Sequence, residues 1–270
     1  MNMLKDLNTN LGETDLCQFG KKYQTDKPSN RYTRVYYEIM KDFRHDIVDI
    51  FEIGVYFGAS IKMWEEFFPN GKIYGIDNGR LVPGTTAIPG GYKGTELPFL
   101  SIDDVKLLQP DALVESVNFK WIENERIKCF KADQRSKKQL QQALDYFQCK
   151  DFDIILDDGQ HFQEHQQKSL GILFPNIKSK RYYIIEDVVD YESLIYDNIF
   201  WGQKKKDATD STDYIFTNFI KTGKLESPYI SKEQSDYIVD NIEDIFIYDR
   251  LNKNNSPIFG NSKLLVIKKK

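Results

Sequence analysis

Two short segments concentrate residues able to do chemistry. The stretch DFDIILDDGQH (151–161) passes from an apolar run into Asp157, Asp158, a glycine and His161, one of three histidines in the chain. RYYIIEDV (181–188) ends in the same manner with Glu186 and Asp187. Both read as buried strands with acids at their carboxyl ends. Neighbouring strands lie roughly 4.8 Å apart, so adjacency in one sheet would crowd four carboxylates into one region. Such a cluster needs a cation, a shared proton or basic partners, and neither ILDDGQH nor IIEDVVD contains a Lys or Arg. An oxygen-only cluster suits Mg²⁺, Mn²⁺ or Ca²⁺ rather than zinc. The competing reading points two of the four acids into solvent or onto helix caps. His161, three residues past Asp158, is of the type and spacing for a general base beside a metal. His165, four residues further, raises a zinc pair at i, i+4. The lack of nearby cysteines or a Glu-x-x-His frame argues against zinc and leaves His165 as a helix-surface residue.

These acids require a frame, and the chain alternates strand and helix patterns. DIVDIFEIGVYFG (46–58) is an apolar run closing in a glycine turn. SIKMWEEFFPNG then carries Ile61, Trp64, Phe67 and Phe68 near one face, and KIYGIDN (72–78) is a second strand. This strand–helix–strand unit predicts a parallel sheet. Residues 79–120 hold much of the Gly and Pro and one short helical candidate, SIDDVKLLQ; a lid over the active site and a disordered loop are both open there. RIKCFKADQRS (126–136) is a third strand, KKQLQQALDYF a helix, and EHQQKSLGILFPNI another between the two acidic strands. Residues 200–230 read as a second polar insertion, part loop and part helix. IEDIFIYDRL and SKLLVIKKK close the chain as an antiparallel hairpin. The expectation is one α/β domain over 1–270: a doubly wound, seven-stranded mixed sheet with a C-terminal antiparallel hairpin and insertions at 79–120 and 200–230.

In such sheets ligands sit at the carboxyl ends of the strands. The first strand ends in Gly54 and Gly58, whose spacing differs from the dinucleotide fingerprint; backbone approach by a ligand and a plain structural turn are both open. Asp77, about twenty residues on, stands where an acid can accept hydrogen bonds from both hydroxyls of a ribose. Without a third glycine or a phosphate-cradling loop, the ligand expected is an adenosine without a pyrophosphate. Asp133, ending the third strand, either contacts an adenine amino group or caps the following helix.

Composition narrows the partners. A formal net charge of −4 argues against a nucleic-acid binder. Three dispersed cysteines fit a reducing compartment, and no apolar segment resembles a signal or a membrane span, so a cytoplasmic protein is expected. A homo-oligomer is neither indicated nor excluded.

The segments DIFEIGVYFGASIKMWEEFFPNGKIYGIDN, FKADQRS, FDIILDDGQH and YYIIEDV resemble the successive motifs of class I S-adenosylmethionine-dependent methyltransferases. More narrowly they resemble the metal-dependent sugar O-methyltransferases of macrolide biosynthesis, the mycinamicin and macrocin type. GKKYQTDKPSNRYTRVYYE (20–38) is similar to that family's Tyr-Gly-Thr-Asp-Lys segment, with Gln24 where the family has glycine and Asn30-Arg31 where a histidine is often found. The resemblance implies a Rossmann-like fold and S-adenosylmethionine as methyl donor. It implies that Asp158, Glu186 and Asp187 bind Mg²⁺ (or Mn²⁺) and that His161 is the base. Glu52, Gly54, Gly58, Asp77 and Asp133 would hold the donor with Asp157 close by, and an N-terminal arm, 1–45, would cover the site with Thr25, Asp26 and Lys27 closing over donor or sugar. Gln160 replaces the family's serine. The acceptor implied is a sugar or glycoside, free or nucleotide-activated, in surface polysaccharide or glycoside natural-product biosynthesis. A catechol-type O-methyltransferase and a non-catalytic adenosine-binding module are the alternatives.

Overall fold

The computed structural model describes residues 11–56, 58–78, 124–189, 199–200, 203–204, 209–249 and 262–270. The expected lid at 79–120 lies outside the described residues, as does part of the 200–230 stretch.

Seven strands form one sheet in the order β3-β2-β1-β4-β5-β9-β8. β1 (Asp49–Ile53), β2 (Lys72–Asp77), β3 (Ile127–Lys131), β4 (Phe152–Asp157) and β5 (Ile177–Val189) are mutually parallel. β8 (Ile242–Asp249) and β9 (Ser262–Lys269) add the expected antiparallel hairpin, with β9 pairing against β5. A separate two-stranded ribbon joins β6 (Ile199–Phe200) to β7 (Gln203–Lys204). The order reverses between β1 and β4, so this is the crevice where a ligand of a doubly wound sheet is expected.

Two apolar layers cover the sheet. On one face α1 (Asp15–Lys22), α2 (Tyr32–Met40) and α3 (Ala59–Phe67) pack Leu16, Tyr36, Ile61, Trp64 and Phe67 onto Ile50, Ile154, Leu156 and Ile184. On the other, α4 (Lys137–Phe147), α5 (Gln163–Leu173), α6 (Thr212–Thr222) and α7 (Lys232–Asn241) pack Leu140, Leu170, Phe216 and Ile238 onto Phe51, Ile53, Ile155 and Ile185. The helix after β1 forms because Ile61, Trp64 and Phe67 recur at helical spacing and are all buried. Each such burial contributes about 1.5–3 kcal/mol.

The helix within the second polar stretch is part of the core: Ile215, Phe216 and Phe219 of α6 are buried against the sheet's cover. Helix α7 was not anticipated, although Ser231 and Gln234 form a reciprocal capping box at its start.

The strand period of two decides which acids meet. Glu52, Asp158 and Glu186 follow Ile50, Leu156 and Ile184 by two residues and so share the face covered by α1–α3. Asp157 follows Ile155 and faces the opposite layer. Strict alternation would also send Asp187 to that opposite layer. A register shift between Ile185 and Val188, with Asp187 at φ 48°, brings it back beside Glu186.

Candidate active site

The acids come together, and a lysine joins them. Lys27, in the turn between α1 and α2, is fully buried. Its Nζ lies 2.5 Å from Asp158 Oδ2, 2.6 Å from Glu186 Oε1 and 3.2 Å from Glu52 Oε1. Burial alone would lower the Lys27 pKa, but Asp158, Glu186 and Glu52 outweigh it and hold the ammonium well above its ordinary value. The basic partner missing from both acidic segments is therefore supplied by the N-terminal arm.

Helix α2 supplies two further donors from the same arm. Tyr32 donates to Asp187 Oδ1 at 2.8 Å, and Tyr36 to Glu186 Oε1 at 2.6 Å. Burial and the adjacent carboxylates raise both phenols well above their usual pKa, so they remain protonated donors. The two tyrosines stand four residues apart and project from one face of the helix.

Burial pushes the Asp158 carboxyl up to about 7 against the pull of Lys27 and His161. Burial likewise raises Glu186 well above the carboxylate range, with Asp158 adding to it and Lys27 opposing. Glu52 is fully buried, raised by burial, and accepts from Ser60 at 2.8 Å. It braces Lys27 and does not reach the crevice.

Among the described residues, the metal-type side chains that converge are Asp158, His161 and Asp187, whose ligand atoms lie within 4.8 Å of one another. All three are partly exposed, and His161 Nε2 is 3.9 Å from Asp187 Oδ2. The Asp158 and Asp187 carboxylates are oxygen donors that fit Mg²⁺ or Mn²⁺, and the His161 imidazole stands beside them. Glu186 sits behind this opening, with Oε1 already accepting from Lys27 and Tyr36. His161 and Asp187 both have left-handed backbone, φ 56° and 48°, a costly conformation for residues with side chains.

His165 is not on the helix surface as expected: it is 8% exposed and stacks edge-on against Phe162 at 5.1 Å. It takes no part in the converging group.

Asp157 is 1% exposed and holds the turn that carries Asp158 and His161. It accepts from Ser169 Oγ, from the Gly159 N–H at 3.2 Å and from Gln134 Nε2 at 3.2 Å. Gln134 closes the loop by accepting from the Gln160 N–H at 3.1 Å. A Cβ on Gly159 would lie 2.0 Å from Gln134 Oε1, so a larger residue there would have to displace the Gln134 amide from its bond to the Gln160 N–H. Gly54, at φ 91°, yields its space to the backbone carbonyl of Asp158, which a Cβ would meet at 2.0 Å. Gly58, at φ 77°, opens helix α3.

Asp77 and Asp133, at the ends of β2 and β3, are likewise partly open. Asp77 Oδ2 accepts from the Tyr56 N–H at 2.9 Å. Asp133 does not cap α4, because Ser136 does so by accepting from Gln139; Asp133 pairs with Arg135 Nη2 at 2.6 Å, which holds its carboxyl below the usual range. Thr25 is half-buried in the arm's turn, where its Oγ1 accepts from the Lys27 N–H at 3.5 Å.

Comparison with solved structures decides the architecture. The model superposes on the MycE methyltransferase of the mycinamycin biosynthetic pathway, solved with Mg and SAH, at a TM-score of 0.59 and 20% identity, covering 96% of this chain and 55% of that one. This is the Rossmann-like class I methyltransferase fold. A further MycE structure, with Mg, SAH and mycinamycin VI, superposes equally well at 21% identity, again over 96% and 55% of the two chains. In sequence the chain is 26% identical over 183 residues to mycinamicin VI 2''-O-methyltransferase of Micromonospora griseorubida, covering 64% of this chain and 36% of that protein. Demethylmacrocin O-methyltransferase of Streptomyces fradiae matches at the same identity and the same coverage. A tetracenomycin rhamnosyl 3'-O-methyltransferase of Streptomyces olivaceus matches at 25%, over 64% of this chain and 37% of that protein. The chain thus spans about a third of the length of these curated relatives. No family model matches it. No helix among the described residues is long and apolar enough to cross a membrane.

Proposed function

We propose that this chain transfers a methyl group from S-adenosylmethionine to a hydroxyl of a sugar in a glycoside, with a divalent ion at the site of transfer. The observation that carries this reading is the convergence of Asp158, His161 and Asp187 at the carboxyl ends of β4 and β5. That end of the sheet is where the methyltransferase fold exposes its ligand crevice. One of the relatives named above is by name a methyltransferase of a rhamnosyl-bearing tetracenomycin, which supports a glycoside acceptor over a catechol.

The donor's adenosine would lie across the ends of β1, β2 and β3, with Asp77 accepting from the ribose and Asp133 near the base. Asp158 and Asp187 would hold Mg²⁺, with Glu186 fixed behind them. A bound divalent ion supplies charge that lowers the pKa of a sugar hydroxyl. His161 takes that hydroxyl's proton. The acceptor oxygen then forms its bond to the sulfonium methyl in line as the C–S bond breaks, the electron pair staying on sulfur. Asp158 and Asp187 orient the acceptor, while Gln134, Asp157 and Ser169 keep the histidine turn in place.

The test is methyl transfer to a panel of rhamnosyl, deoxysugar and nucleotide-activated acceptors, read by mass spectrometry. His161→Ala is expected to slow transfer by about 10²- to 10⁴-fold, the usual range for a lost general base, while Mn²⁺ binding persists. Transfer at the wild-type rate by His161→Ala would remove the base. Loss of Mn²⁺ binding with that substitution would make His161 a metal ligand instead.

A further inference from the structure

Lys27 is the fully buried lysine among the described residues, and its three partners come from three different strands. Glu52 belongs to β1, Asp158 follows β4 and Glu186 lies in β5, so a single ammonium ties the ends of three parallel strands to the N-terminal arm. Asp26 adds a fourth negative charge at longer range. Without Lys27 the same volume would hold three acids and no cation. A buried carboxylate left without its partner is strongly destabilising. Asp158 is shared: Oδ2 faces Lys27, and the same side chain belongs to the converging group with His161 and Asp187.

We propose that Lys27 is a resident cation that assembles the acids before a divalent ion arrives, so that the metal-free protein is already folded around its site. Lys27 is a positioning residue: it touches the acids that hold the ion rather than the reacting atoms. This inference rests on the metal-dependent reading above. It also explains how the three acids tolerate one another without an ion, since a neutralising charge is covalently part of the chain. An ion arriving later has only Asp158 and Asp187 to satisfy.

The experiment is the melting temperature of wild type and Lys27→Met in EDTA and in excess Mg²⁺. Wild type is expected to shift little between the two. Lys27→Met is expected to melt roughly 10 °C lower in EDTA and to recover part of the difference in Mg²⁺, since the ion reaches Asp158 but not Glu52. Adding Glu186→Gln to Lys27→Met, which removes one of the acids that Lys27 bridges, is expected to recover part of the deficit in EDTA. A Lys27→Met protein whose gain from Mg²⁺ is no larger than that of wild type would overturn the proposal. Should that variant not fold, hydrogen exchange on wild type decides: amides of residues 23–36 equally protected in EDTA and in Mg²⁺ support a resident cation, and an arm that opens in EDTA overturns it. Mn²⁺ binding to wild type, followed by electron paramagnetic resonance, separates the two levels. Absence of binding sinks the metal reading itself, whereas binding together with a metal-indifferent Lys27→Met sinks only the role of Lys27.

Discussion

At the scale of single residues, the two aspartates of DDGQH divide their work by strand parity. Asp158 faces the arm and the crevice, while Asp157 faces α5 and is consumed by Ser169, Gln134 and the Gly159 N–H. The acids, glycine and histidine were legible because their types and strand-end positions are local in sequence. Lys27 was legible only as a member of the arm motif; its pairing with Asp158 spans 131 residues and no local pattern encodes it. Gln24 is a case in which the departure from the resembling motif acquires a physical meaning. Its φ is 59°, a left-handed conformation that costs a side-chain-bearing residue about 1 kcal/mol and a glycine far less. Gln24→Gly is therefore expected to stabilise the protein by about 1 kcal/mol in urea denaturation, provided the turn keeps its conformation. A loss of stability would mean that the Gln24 side chain makes a compensating contact.

At the scale of elements, the sheet and its helices were readable from period and punctuation. KKQLQQALDYF, with apolar residues at helical spacing, forms helix α4 over Lys137–Phe147. What was not readable was the bulge in β5: the apolar run RYYII gives no sign that Asp187 turns back toward Glu186, because the shift is set by pairing with β9. Helix α7 was missed because its apolar positions are few, with Ser235 and Ile238 its buried residues. His165 departs from the surface position its spacing suggests because the polar helix α5 is buried along most of its length, Gln163, Gln166, Gln167 and Ser169 included. That burial has a consequence in pH. Burial, reinforced by Arg135, lowers the His165 pKa below its ordinary 6.5. The unfolded chain then binds the proton more readily than the folded one, so the contribution to stability is present above about 6.5 and is lost as pH falls through the lower, folded value. Urea midpoints measured from pH 7.5 down to 5 are expected to fall less steeply for His165→Gln than for wild type. Parallel slopes would show that His165 does not titrate differently on folding.

At the scale of the whole molecule, two structural systems meet at one crevice. The sheet brings glycines and acids to a common edge through strand order, and the arm of α1 and α2 closes over that edge with Lys27, Tyr32 and Tyr36. The arm is thus as much a part of the site as the strands are. It supplies the donors that a cluster of carboxylates requires, and its core packing through Tyr36 against Trp64, ring centroids 5.5 Å apart, ties it to the first crossover helix. At the ends of β2 and β3, Asp77 and Asp133 stay open for the proposed donor, whereas Glu52 and Asp157 are buried within the protein. The central claim is that methyl transfer to a sugar hydroxyl depends on a divalent ion at Asp158 and Asp187. Its most direct test is the rate of methyl transfer from S-adenosylmethionine to a glycoside acceptor, measured before EDTA, after EDTA and after Mg²⁺ is restored. The account predicts activity that is lost in EDTA and returns with Mg²⁺; transfer that continues unchanged in EDTA would contradict it.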